Sequence, residues 1–230
     1  MSAAAQRRHR FINPTRHCSA PGCTRHRRRS SRYCRTHERR ARLYGHPMGG
    51  QIDRKLVASY RQEFADFIAR KSDTPQVKAA VALMNDLIQC GLPYRSNPGA
   101  DFRLRHLRDE GVTGKEALEI LGGMWLLSYR EPRALPDDVR LTYHLGLALI
   151  KARPYPQRLY KSPTAGKMLS RSMFPGSLAR RAIGEFVRRR LGVFFMRCIE
   201  ALNAEDRQDQ ERAQTLATSF ITITDGNLRL

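Results

Sequence analysis

"SLARRAIGEFVRRRLGVFFMRCIEAL", residues 177–202, carries the strongest helical period in the chain. Leu178, Ala182, Ile183, Phe186, Val187, Leu191, Phe194, Phe195, Ile199 and Leu202 return at intervals of three and four, the spacing that gathers side chains on one side of a helix. Arg180, Arg181, Arg188, Arg189 and Arg190 fall between them and are expected on the polar side. Such a stripe needs other apolar helices to cover it.

Those helices are legible upstream. Ile52, Leu56, Val57, Tyr60, Phe64, Phe67 and Ile68 form one stripe, and Val77, Val81, Met84, Leu87 and Ile88 a second that starts at Asp73-Thr74-Pro75. "GLPYRSNPGAD", 91–101, interrupts the pattern with two prolines and two glycines and marks a possible sub-boundary. A short helix around 102–107 follows. Thr113 and Glu116 then form a capping box that opens a helix through Ile120, Leu121 and Trp125. Leu135-Pro-Asp-Asp138 opens another through Val139, Leu145, Leu149 and Ile150.

"RPYPQRLYKSPTAGK", 153–167, reads as a Pro-rich connector, and 205–219 as a polar helix. "FITITDG", 220–226, alternates like a strand but has no second strand to pair with. The expectation is a mainly α protein: a basic arm at 1–17, a small module at 18–48 and an all-α helical body at 49–230. The stretch "MGGQ", 48–51, reads as the hinge between module and body.

Charge separates the same regions. The chain has 42 Lys and Arg against 21 acids, a formal charge of +21. Residues 1–46 hold 13 arginines, no lysine and one acid, Glu38. Residues 47–150 are nearly neutral, with 14 basic and 13 acidic side chains. Residues 151–190 hold 11 basic side chains against Glu185 alone, and 191–230 hold 4 against 6 acids. Two basic zones of this density predict a polyanionic partner.

The module holds three of the five cysteines, in the pattern Cys18-x4-Cys23-x10-Cys34-x2-His37. Pro21-Gly22 suits a tight turn that folds Cys18 and Cys23 toward one point, and Cys34 and His37 at i, i+3 share a helical face. Two thiols and a thiol–imidazole pair at such spacings suit one tetrahedral zinc, and four protein ligands leave no open position, so the ion is expected to be structural. His17, His26 and His46 are rivals for the fourth place. With an odd cysteine count and no apolar stretch after MSAAAQRRHRF, neither a disulfide framework nor a secretory signal is expected; a reducing cytoplasm is. No run of about 18 apolar residues suggests a membrane span.

These residues resemble a small zinc module of phage and bacterial proteins that often stands beside HNH-type endonuclease domains. In it a Cys-x2-His pair leads into a basic helix ending at a Gly-x-Pro turn. Here Cys34-Arg-Thr-His37 leads into Glu38–Tyr44, and Gly45-His46-Pro47 makes the turn. The resemblance covers about 30 residues and implies a metal role for Cys18, Cys23, Cys34 and His37. Glu38 stands where family members often carry an aromatic, and His46 where an acid or amide is common. No His-Asn-His nuclease constellation follows.

Guanidinium is planar and forks onto phosphates and guanine edges, so the all-arginine composition of the module favours nucleic acid. Arg25, Arg27, Arg28, Arg29 and Arg32 load the loop between ligand pairs, and Arg35, Arg39 and Arg42 lie at helical spacing. Arg188, Arg189 and Arg190 of the second zone are candidates for a further contact, and Tyr33 and Tyr44 for stacking.

Elsewhere the chemistry is sparse. Gly166-Lys167 lacks the remainder of a P-loop, and His106 and His144 have no visible nucleophile or acid partner. Residues 106–121 have a helix-turn-helix rhythm, but Glu116, Glu119 and the following "GGMWLL" favour burial, as do Trp125, Cys90 and Cys198. The expected function is binding of nucleic acid, DNA before RNA, in a phage or mobile-element setting, with no catalytic constellation. A regulatory adaptor whose helical body docks a protein, and a nuclease or replication accessory factor, are the alternatives.

Overall fold

The structure, a computed structural model, describes residues 17–27, 31–93, 97–161, 168–172 and 176–227, with side chains described outside 158–175 and 213–230. Residues 1–16 of the basic arm and the candidates Arg28 and Arg29 lie outside the described residues. The helices are α1 (Arg35–Tyr44), α2 (Arg54–Arg70), α3 (Pro75–Cys90), α4 (Pro98–Asp109), α5 (Gly114–Arg130), α6 (Asp138–Ile150) and α7 (Ser177–Asn227). The body is helical, as the periodicity predicts. The segment read as a connector adds one antiparallel hairpin, β1 (Gln157–Lys161) with β2 (Met168–Ser172), in which Gln157 faces Ser172 and Lys161 faces Met168.

α5 is the middle of the body. From Ala117 through Leu127 it is buried almost without a break, and it packs on α2, α3, α6 and α7. A helix apolar on every side has to be central. Its start is set by Thr113, whose hydroxyl accepts from the Glu116 N–H at 3.1 Å. The Glu116 carboxylate meanwhile takes Arg153 at 2.6 and 2.8 Å, and this pair holds its carboxyl below the usual range. The turn at Gly111 therefore joins two packed helices, and α5 has no free face to enter a nucleic-acid groove.

α7 starts at Ser177 as the sequence predicts, but its buried stripe is Ala179, Ile183, Val187, Leu191, Phe195 and Ile199, an unbroken i, i+4 series. Leu178 lies half a turn from Val187 and is 73 % exposed, a correction to the expected core. Val139 and Cys90 are likewise exposed rather than buried. Phe195 stacks on Trp125 at 5.1 Å and meets Phe64 at 5.8 Å, which ties α7 to α5 and α2. The helix runs on without a break through 205–219 and 220–226, so the alternating FITITDG stretch is helical. Among the described residues no helix is long and apolar enough to cross a membrane.

The closest approach in the body is between α6 and α7. A Cβ on Gly184 would lie 1.7 Å from the Thr142 carbonyl oxygen, and one on Gly146 would lie 1.8 Å from that of Arg180. Each helix supplies a glycine where the other's backbone passes, so this crossing admits no side chain. Arg103 supports the far end of α6. It is fully buried and donates from Nε and Nη2 to the Ile150 carbonyl at 2.9 and 2.6 Å. It also donates to the Arg153 carbonyl and, from Nη1, to that of Pro154 at 3.0 Å, while its guanidinium lies 4.8 Å from the Tyr155 ring centre. One planar fork thus satisfies carbonyls that the helix terminus leaves unpaired.

His144, on α6, is buried against Tyr44 and Tyr143, with ring centres 6.4 and 6.2 Å away. Burial first, then the charges of Lys151 and Arg140, push its pKa down from 6.5 to about 4. Between those values the unfolded chain binds a proton that the folded chain refuses, so stability falls as pH drops from about 6.5 to 4. At 1.36 kcal/mol per pK unit the loss at pH 4 is about 3 kcal/mol. Denaturant unfolding between pH 7 and 4 should show this slope, and His144→Gln should lose that share of it. Equal slopes in the two proteins would contradict the assignment.

Candidate metal centre and its arginine surface

The module is built around very little apolar matter. Cys18, Ala20 and Cys34 form its one buried cluster among the described residues, with Cys23 and Tyr33 packed against them. Ordering backbone costs about 1–2 kcal/mol per residue, and three small side chains return about 1 kcal/mol each. Something else must hold this segment.

The side chains that could do so converge. Gly22 adopts a left-handed φ of 70°, and Cys23 N–H donates to the Ala20 carbonyl at 3.1 Å, closing the turn between the first two cysteines. Cys18 N–H donates to Arg25 at 2.8 Å and Ser19 N–H to Arg32 at 3.0 Å, which brings the loop back beside the start of α1. Cys34 is the residue before that helix, and His37 lies in its first turn. The ligand atoms of Cys18, Cys23, Cys34 and His37 all lie within 4.8 Å of one another, so the four can hold a metal ion.

His37 Nδ1 is 3.3 Å from Cys18 Sγ and 3.5 Å from Cys34 Sγ. The edges of a tetrahedron with metal–ligand bonds of about 2.0–2.3 Å are about 3.6 Å, so these separations suit one ion. The Cys34 N–H donates to Cys18 Sγ at 3.2 Å. A hydrogen bond from the His37 backbone draws the Cys34 thiol below its usual range.

The rival histidines are engaged elsewhere. His17 and His26 stack on each other at 5.2 Å, with His17 Nδ1 3.1 Å from the Thr24 carbonyl. His46 Nδ1 accepts from Met48 N–H at 3.1 Å and from Arg140 at 3.0 Å. The other cysteines stand apart: Cys90 is exposed on α3, and burial pushes the Cys198 thiol on α7 up to about 12.

α1 carries the arginines away from the centre. Arg35, Arg39 and Arg42 are exposed at i, i+4 and i+7, as is Arg32 in the preceding loop. Arg25 donates to the Thr36 hydroxyl at 3.1 Å and is tied to the same helix. Arg27 is half-buried, and its Nε has no hydrogen-bond partner among the described residues. Tyr33 packs on the small core, and Tyr44 stacks on His144, so neither ring stands free for a base.

The second basic zone divides. Arg180, expected on the polar side, is buried and belongs to the joint between module and body. It donates to the Tyr143 hydroxyl at 2.6 Å and the Leu43 carbonyl at 3.3 Å, while Tyr143 donates to the Arg42 carbonyl at 2.8 Å. The last carbonyls of α1, orphaned by the helix end, are thus taken by side chains of α6 and α7. Gly45 ends α1 at φ 73°, and a Cβ there would sit 2.6 Å from the Tyr143 ring. The expected hinge at 48–51 continues this fit, with Gly49 buried and bonded to the His46 carbonyl at 2.9 Å. Sequence reasoning missed Tyr143 and Arg180. The signal was spacing: Arg180 lies four residues before Gly184 and seven before Val187, on the buried side of α7.

Arg188 forms an ion pair with Asp138, and Arg181 one with Glu185 at 2.7 Å. Both arginines and Arg189 line a cleft of about 340 Å³ whose opposite wall includes Ala41 and Gly45 of the module. Arg190 faces a different groove, between α3 and α7. The arrangement therefore brings Arg181, Arg188 and Arg189 beside α1 and leaves Arg190 apart. No family model, no curated protein and no solved structure matches this chain.

Proposed function

We propose that Cys18, Cys23, Cys34 and His37 hold one structural zinc ion, and that the arginines fixed by it bind nucleic acid, DNA before RNA. The observation that carries this reading is the convergence of four ligand atoms within 4.8 Å in a segment with almost no core of its own. Three thiols and an imidazole are a donor set for zinc, and the closed set gives the ion no catalytic position. Its role is to set the loop and α1 so that guanidinium groups are presented without an ordering cost at the moment of binding.

The surface would then run from Arg32, Arg35, Arg39 and Arg42 to Arg189 across the cleft. Such contacts position a backbone rather than read a sequence. A regulatory or enzymatic role finds less support, since no nucleophile, base or open metal position accompanies the arginines among the described residues.

The test is affinity for a DNA duplex, and for RNA of the same sequence, measured across salt. Log affinity should fall linearly with log salt, with a slope of roughly −0.9 per duplex phosphate contacted. Changing Arg35, Arg39 and Arg42 together to Ala should reduce that slope by about three while bound zinc stays at one per chain. Binding that ignores salt, or the triple variant binding like the parent, would overturn the reading.

A further inference from the structure

An apolar groove of about 480 Å³ runs between α3 and α7. Val77, Ala80 and Leu83 form one wall, and Leu191, Phe194 and Ala201 the other. Val193, on its lip, is 70 % exposed, and Met196 in the next turn is 42 % exposed. The charged residues lining it are Lys71, Arg190 and Arg197, and no acid is among them. Such a surface calls for a helix with an apolar stripe and no cation.

The chain possesses one. The buried stripe of α7 ends at Leu202, and the last ion pairs to the body that the described side chains show are made by Glu205 to Arg70 and Lys71 and by Asp206 to Arg130. The helix nevertheless continues to Asn227. At 1.5 Å per residue, the part beyond Asp206 is about 30 Å long. An isolated helix of this length is marginal in water and needs a surface to lie on. By sequence, 213–227 contains no Lys or Arg in a chain with 42 of them, and it includes Asp225. Leu216, Phe220 and Ile223 recur there at intervals of four and three.

This segment cannot reach the groove of its own chain, because it continues the helix that forms one wall. We infer that α7 pairs antiparallel with α7 of a second copy, so that each copy's 213–227 segment fills the other's groove. With the two-fold axis near Arg207, position 193 of one copy stands opposite position 220 of the other, and Asp225 approaches the rim at Arg190. The contact is isologous and closes at two copies. The inference does not depend on the metal or on nucleic acid.

Sedimentation equilibrium of the full chain, after nuclease treatment and in high salt, tests it. The expected mass is twice the 26.4 kDa of one chain. Val193→Glu and Phe220→Glu should each weaken the dimer at least a hundredfold. Because Val193 is exposed in the single chain, the first variant should unfold cooperatively at the midpoint the parent reaches when diluted until it is monomeric, which separates lost pairing from lost folding. In a Cys90→Ser background, Val193→Cys with Phe220→Cys should form a disulfide-linked dimer on oxidation. The two positions lie about 40 Å apart on one helix, so the bond cannot close within a chain. A species of 26.4 kDa at every concentration overturns the inference, as would a complex in which a different protein occupies the groove. A dimer that survives both Glu variants overturns it as well.

Discussion

Replacing Cys34 by Ser, or stripping the metal with a chelator, should unfold residues 18–44 while the body remains helical. Structural zinc in small modules contributes about 10–16 kcal/mol of apparent binding free energy, which in a segment without a core is folding free energy. The buried residues Cys18, Ala20 and Cys34 cannot replace it, because two of the three belong to the quartet that can hold the ion. The body has its own core, running from Phe64 to Leu202. Hydrogen exchange should therefore show protection lost in the module and kept in α5 and α7. The joint adds a second mark: once α1 melts, Tyr143 and Arg180 lose their carbonyl acceptors. Full zinc occupancy in Cys34→Ser, or a module that stays protected without metal, would refute the assignment.

Arg103→Leu should be among the damaging single changes in the body. The substitution keeps apolar bulk but removes the donors from the carbonyls of Ile150 and Arg153, while that of Pro154 keeps His106 Nε2 at 3.2 Å. Leaving a buried acceptor unpaired costs about 1–3 kcal/mol, so two cost about 4 kcal/mol. At about 2–4 °C per kcal/mol for a chain of this size, the melting temperature should fall by about 8–16 °C. Arg103→Lys should recover little, since an ammonium has no planar fork to span three acceptors. Thermal unfolding of the two variants checks this, and a Leu variant within about 1 kcal/mol of the parent would show that the network is dispensable.

The helical body was legible because most of its stripes are simple. Phe64, Phe67, Val77, Met84, Leu87, Leu145 and Leu191 are buried where the period puts them. The ligand quartet was legible from spacing, since a turn and an i, i+3 pair are local geometry. What the sequence did not disclose comes from distant partners. Arg103 and Arg180 look like surface residues until the carbonyls they serve, 47 and 137 positions away for Ile150 and Leu43, are brought beside them. Leu178 and Val139 look like core, but each lies in the first turn of its helix, ahead of the residues that pack. The hairpin was masked by its prolines: Pro154 and Pro156 precede β1, and Pro163 lies between the strands. Two helices were read where one runs through, because the polar stretch at 203–212 ends the apolar stripe without ending the helix.

The joint beneath α1 grips main chain. Tyr143 and Arg180 take the carbonyls of Arg42 and Leu43, groups that every amino acid possesses, and the steric demand falls on Gly45. The outward residues at 35, 39 and 42 take no part in that grip, so their identities can vary without loosening the mount. The residues that hold α1 in place are thus separate from the side chains it presents outward. A library randomised at those three positions to every residue but proline and glycine, with the cysteines, His37 and Gly45 kept, should yield folded members throughout.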